Sequence, residues 1–134
     1  MKETICIAND LQEIQSVQAE LTRILQSCDC HDEKIDEICL ITEEILVNIV
    51  SHGFGPEDQS QIKVVFSQAD DLYCLEFQDK GKTFNPLEAD ERPEGKVGGW
   101  GIPLVTALSE KVEYSSDSGT NVLTVQVSKR DNQD

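Results

Sequence analysis

The sequence predicts an α+β protein, a two-layer α/β sandwich whose mixed sheet is covered on one face by helices. Three observations carry this. Apolar residues recur at helical spacing over residues 11–50. The period then changes to two over "QIKVVFSQ" (61–68) and "LYCLEFQD" (72–79), and again over "KVEYSS" and "TNVLTVQVSK". Helices and strands are thus segregated rather than strictly alternating. The length, 134 residues, suits one compact domain, 1–134, with one core.

Taken in order, "KETICIA" (2–8) alternates as a strand, with Thr4, Cys6 and Ala8 on one side and Ile5 and Ile7 on the other. Asn9 or Asp10 can cap the next element. Leu11, Ile14, Val17, Leu21, Ile24 and Leu25 mark an amphipathic helix of about four turns, which "SCDCHDE" breaks. A second helix runs from about Asp32 to Ser51 and stops near Gly53 and Gly55-Pro56. Residues 61–68 and 72–79 form a hairpin around Ala69-Asp70-Asp71. Residues 80–99 show no period and are dense in Gly, Pro and charge. A stretch of about twenty such residues is unusual inside a small domain unless it is functional. "WGIPLVTALSE" reads as a short helix, two closing strands flank "DSG", and the tail "RDNQD" reads as frayed.

The formal net charge is -15. Such a surface argues against nucleic acid or an anionic membrane as the direct partner, since both select a cationic face. No apolar run is long enough to cross a bilayer, and "MKETICIAND" lacks the apolar core of a signal peptide, so a cytoplasmic protein is expected. The odd count of five cysteines fits reduced thiols better than a disulfide framework. In "CDCH" (28–31), Cys28, Cys30 and His31 have no matching second pair at zinc spacing, and a helix-linking turn is expected there.

Polar residues interrupt the apolar pattern at three places. In "EEILVN" (43–48), Glu44 and Asn48 stand four apart, about 40° around the helix, so they share a face, and His52 continues the line. Glu43 is rotated about 140° from Asn48 and points to solvent. This stripe is either the rim of a pocket or an exposed surface. In "LYCLEFQDKGKTF", Asp79 has the parity of Tyr73, Leu75 and Phe77, so it points into the helix–sheet gap at the strand's end. There it is placed to accept a hydrogen bond from an exocyclic amine. Gly81, two residues on, permits close approach of a ligand or a positive φ. In "GKVGGWG" (95–101), Gly98, Gly99 and Gly101 leave backbone N–H groups unblocked before a helix, a plausible phosphate cradle that is neither a P-loop nor a dinucleotide fingerprint.

The three pieces in this order resemble the Bergerat ATP-binding fold shared by gyrases, chaperones, histidine kinases and mismatch-repair proteins. More closely, they are similar to its single-domain branch, the anti-sigma-factor serine/threonine kinases. The Glu-x-x-x-Asn box reads "EILVN", Glu44 to Asn48. The first glycine box reads "DKGKTFNP", with Asp79, Gly81, Phe84 and Pro86; the second reads "GGWGIPLV". A closing Gly-Thr appears as Gly119-Thr120. The resemblance covers almost the whole chain.

It implies ATP and Mg2+ as cofactors. Asn48 would bind the magnesium, and Glu44 would be the general base toward an attacking serine hydroxyl. Asp79 would hold the adenine amine with Thr120 assisting, and Gly81 would allow adenine to approach. Phe84, Lys96, Gly98, Gly99, Trp100, Gly101 and Ile102 would complete the nucleotide site, with residues 85–98 as a lid. Trp100 and Pro103 replace the aliphatic and aromatic residues common in the second box, Asn85 stands where Asp is frequent, and an Arg often found before the helix is missing, with Lys96 and Arg92 nearby. Pro103 fits only in the first turn of its helix. The implied function is a protein-serine kinase in a partner-switching circuit, phosphorylating a small antagonist protein and holding a sigma factor or other target; the resemblance also implies a homodimer. The alternative is a non-catalytic ATP-sensing module of the same fold.

Overall fold

The computed structural model describes residues 2–8, 10–53, 61–80 and 101–130. Strand β1 (Lys2–Ala8) leads through a short 3-10 turn (Leu11–Glu13) into helix α1 (Ile14–Ser27). Helix α2 (Asp32–Asn48) follows and continues as a π-helical turn (Ile49–Gly53). Strands β2 (Gln61–Ala69) and β3 (Leu72–Asp79) come next, then helix α3 (Gly101–Leu108) and strands β4 (Lys111–Asp117) and β5 (Thr120–Ser128). The sheet order is β1-β2-β3-β5-β4.

Every neighbouring pair in this sheet is antiparallel, which corrects the expected mixed sheet. The connections supply the reason. Between β1 and β2 the chain makes two helices, α1 out and α2 back, so β2 starts at the end where β1 stopped, with Ala8 opposite Gln61. Among the described residues one helix, α3, lies between β3 and β4, and those two strands do run in the same direction. Strand β5 lies between them and is antiparallel to both.

Capping side chains set the helix starts. The Asp10 carboxylate accepts from the backbone N–H of Gln12 at 2.9 Å, as an N-cap does. His31 caps α2, its Nδ1 accepting from the N–H of Lys34. The "CDCH" segment is therefore a link between helices, with Asp29 in the left-handed region at φ 61°. Among the described residues no group of three or more His, Cys, Asp or Glu could hold a metal ion, and all five cysteines are free. Two-residue turns close both hairpins. At the second, Ser118 (φ 53°) and Gly119 (φ 82°) are both left-handed, the geometry whose twist suits adjoining strands.

One face of the sheet meets the helices. Ile62, Val64, Phe66, Leu75, Phe77, Val125 and Val127 interleave with Val17, Leu21, Leu25, Ile38, Ile41, Ile45 and Leu46 in a single buried cluster. The cluster extends to Val105 of α3, which packs on α2. Lys34 is buried too, with its ammonium 3.2 Å from the Glu37 carboxylate. No helix among the described residues is long and apolar enough to cross a membrane. Lys129 is tied down by its N–H to the Asp71 carbonyl (2.8 Å) and its ammonium to Gln68 Oε1 (2.7 Å).

The end of the sheet where α1 turns into α2 is rich in ionisable groups. Gln68 donates to Cys28 Sγ at 3.1 Å, and the Lys129 ammonium sits 5.2 Å from the centroid of the Tyr73 ring. Burial pushes the Tyr73 phenol above its ordinary 10.0, and its hydrogen bond with Cys30 adds to this. Burial likewise raises the Cys30 and Cys39 thiols above 9.0. Acids raised on folding keep protons that the unfolded chain gives up. Their stabilisation is therefore full below the unfolded values and is lost as pH rises from these through the raised folded values. Urea midpoints should stay level up to about pH 8.5 and fall beyond it, with Tyr73→Phe flattening the part of the fall above about pH 10. A midpoint that rises between pH 9 and 11 would contradict this assignment.

Candidate functional site

The opposite end of the sheet holds Asp79 and Thr120, two of the polar residues singled out in the sequence. There β3 finishes at Asp79 and β5 begins at Thr120, while Ala8, Gln61 and Asp117 end or begin their strands beside them. Helix α2 starts at the far end, where Cys30 and Lys34 lie near Tyr73. A helix of 17 residues is about 25 Å long, and a strand of 8 residues is about the same. The last turn of α2 is thereby carried toward the end of the sheet that holds Asp79.

On α2, Glu44 is half-buried, Glu43 is exposed and Asn48 is buried, in agreement with the helical arithmetic. The Asn48 amide nitrogen donates to the Glu44 carbonyl at 2.8 Å. Of the two polar atoms of a carboxamide, only the carbonyl oxygen has lone pairs for a cation. The α-helix ends here, three residues before the expected Ser51, and the chain widens into the π-helical turn. Such turns occur often at functional sites.

Asp79 is buried at 6% exposure and faces the helices, as its parity requires. Its direct cross-strand neighbour is Asn121, whose amide donates to Asp79 Oδ1 at 3.0 Å. The Asn121 carbonyl accepts from the Tyr114 hydroxyl at 2.7 Å. Thr120 has the opposite parity along β5 and shares the outer face with Val122 and Thr124. It does line, with Gln61, Lys63, Gln78, Asp79 and Lys80, a groove of about 450 Å³ at this end of the sheet. Two ammonium groups in that groove stand out on a chain of charge -15.

Asn121 and Tyr114 escaped the sequence reading. The Gly-Thr pair drew attention to Thr120, and the residue beside it became visible only once the register set Asn121 against Asp79. Gly81, Phe84, Lys96, Gly98, Gly99 and Trp100, with the lid 85–98, lie outside the described residues. Gly101 and Ile102 open α3.

An ion at the end of α2 would meet a carboxamide oxygen rather than a protein cage. That donor set suits magnesium, which is hard, keeps several waters and draws other oxygens from phosphates.

A sequence profile described as a histidine kinase-like ATPase domain matches residues 7–127. The chain is 28% identical over 101 residues to the serine-protein kinase RsbW of Listeria monocytogenes serotype 4a, covering 68% of this chain and 64% of that protein. It is 29% identical over 94 residues to the serine/threonine-protein kinase BtrW of Bordetella bronchiseptica, covering 66% of each. The chain thus spans just under two thirds of the curated relatives it matches. Among solved structures, the RsbU and RsbW domains of a Mycobacterium tuberculosis protein align with a TM-score of 0.72 at 18% identity, over 96% of this chain and 32% of that one. A blue-light activated histidine kinase from Erythrobacter litoralis aligns at 0.58 and 17%, over 75% and 32%. These likenesses bear on the fold.

Proposed function

The chain belongs to the histidine kinase-like ATPase domain family, and from that premise we propose that it binds magnesium–ATP and transfers the γ-phosphoryl group to a serine of a small antagonist protein, in a partner-switching circuit that also engages a sigma factor or another regulatory target. The names of the relatives support the reaction class. The observation that supports the site is the burial of two polar side chains that the motifs single out, Asp79 at the end of β3 and Asn48 at the end of α2.

Each residue then has a task. Asp79, held on the sheet, accepts the adenine amine. Gly81 bounds the base pocket, and Thr120, on the outer face, assists only from the strand end where it lines the groove beside Asp79. Phe84, Lys96, Gly98, Gly99, Trp100, Gly101 and Ile102 close around the nucleotide. Asn48 would hold the magnesium through its carbonyl oxygen, and the ion would neutralise charge on the phosphates. Glu44, one turn earlier on the same helix face, takes the proton of the attacking serine hydroxyl. Phosphoryl transfer asks mainly for positioning and charge neutralisation, so no acyl-transfer triad is called for. The acidic surface favours partners with basic contact faces.

The direct test is incubation with labelled ATP and magnesium together with small candidate antagonist proteins encoded nearby. Label on a serine of one acceptor is expected. ATP binding without transfer to any acceptor would instead identify a non-catalytic ATP-sensing module. Within the same reading, Asp79→Ala should weaken ATP binding roughly tenfold or more, as loss of a hydrogen bond to a charged group does, and narrow the gap between ATP and GTP. A variant that prefers ATP as strongly as the parent, measured by calorimetry, would remove Asp79 as the base reader.

A further inference from the structure

Three polar side chains on adjacent strands form one hydrogen-bonded line at the site end of the sheet. Asp79 and Asn121 are direct cross-strand partners, and both are at least nine-tenths buried. Tyr114 is the register partner of Leu123, two residues along from Asn121. That diagonal lies within reach of a long side chain. The half-buried Tyr114 hydroxyl completes the line at 2.7 Å, after the 3.0 Å bond between Asn121 and Asp79.

The direction of each bond follows from the inventory of donors. A carboxylate only accepts, so Asn121 must turn its NH2 toward Asp79. Its carbonyl then faces Tyr114, which must donate. Rotating the amide by half a turn would set an oxygen against the carboxylate and an NH2 against a hydroxyl hydrogen. The Asp79 carboxylate thus selects the orientation of Asn121, the Tyr114 hydroxyl turns to donate and holds the amide in place, and Asn121 presents Asp79 with a fixed donor on Oδ1.

We propose that Asn121, held by Tyr114, is a specificity-determining positioning residue that fixes the Asp79 carboxylate as the acceptor for the exocyclic amine of adenine and so sets the preference for an amino over an oxo purine. This rests on the nucleotide-binding reading of the site. With Asn121 in place, the Asp79 carboxylate is held to one rotamer across the strand pair and accepts from an amine. An oxo purine meets it oxygen to oxygen. Without Asn121, Asp79 Oδ1 loses its cross-strand donor, the carboxylate is held less tightly, and the distinction between the two bases shrinks. Tyr114 acts one step further back, through the same amide.

The test uses the full chain, with ATP and inosine triphosphate, which replaces the adenine amine by a carbonyl. Calorimetry with magnesium on the parent, Tyr114→Phe and Asn121→Ala gives the ratio of the two affinities. The parent is expected to prefer ATP. Asn121→Ala should reduce that preference roughly tenfold, and Tyr114→Phe should reduce it less, in the same direction. A merely structural role would weaken both nucleotides in proportion and leave the ratio alone. If Asn121→Ala does not fold, the ratio in Tyr114→Phe carries the test. A parent that prefers ATP, with variants that keep the same ratio, would overturn the role of Asn121 and leave the nucleotide site standing. A parent that binds neither nucleotide would overturn both.

Discussion

Replacing Asn48 by Ala is expected to abolish magnesium-dependent ATP binding in a protein that remains folded. The structural cost is small. The side chain donates to the Glu44 carbonyl at 2.8 Å, and that carbonyl keeps its helical partner. Such a bond is worth about 0.5–1.5 kcal/mol, against about 5–15 kcal/mol for a typical domain. The functional cost is large, because Ala has no oxygen to offer a hard cation. Losing a direct ligand should exceed the roughly 10–100-fold cost of losing an outer-shell partner of a metal. Calorimetry with magnesium, repeated with a chelator, reads the effect directly. Parent and variant should differ in magnesium and converge without it. Unchanged affinity in magnesium would detach Asn48 from the ion.

The sequence exposed those parts of this site that depend on local periodicity. Glu44, Glu43 and Asn48 fall where helical arithmetic places them, half-buried, exposed and buried in turn. Asp79 faces the helices because Phe77 and Leu75 do. What stayed hidden depends on pairing between distant segments. Asn121 and Asp79 are 42 residues apart and meet only through the register of β3 with β5. The same register puts Thr120, which the motif emphasised, on the outer face. The insertion of β5 between β3 and β4 also made the sheet antiparallel throughout, and strand periodicity contains no information about neighbours. The end of α2 was misplaced for a related reason. Ile49 and Val50 continue the apolar spacing, so a hydrophobic pattern alone does not reveal the change to a π-helical turn after Asn48.

Converting Glu44 to Gln is expected to leave ATP binding intact and to lower phosphoryl transfer to a serine acceptor by roughly 10²–10⁴, the range for loss of a general base. The substitution keeps the size of the side chain and most of its hydrogen-bonding shape. It removes the charge and the proton acceptor. Glu44 is half-buried on α2, so the amide can remain partly solvated, and the bond from Asn48 goes to the backbone of this residue, which the change leaves in place. The carboxylate should contribute little to nucleotide affinity, because a negative group near phosphates opposes binding. Affinity should then hold level or rise slightly while transfer collapses. Single-turnover measurements with saturating ATP separate the two quantities. Transfer at the parental rate in Glu44→Gln would move the base elsewhere, to Glu43 or His52. A fall in transfer that tracks an equal fall in ATP affinity would show that the carboxylate serves binding, and the proton would then need another acceptor.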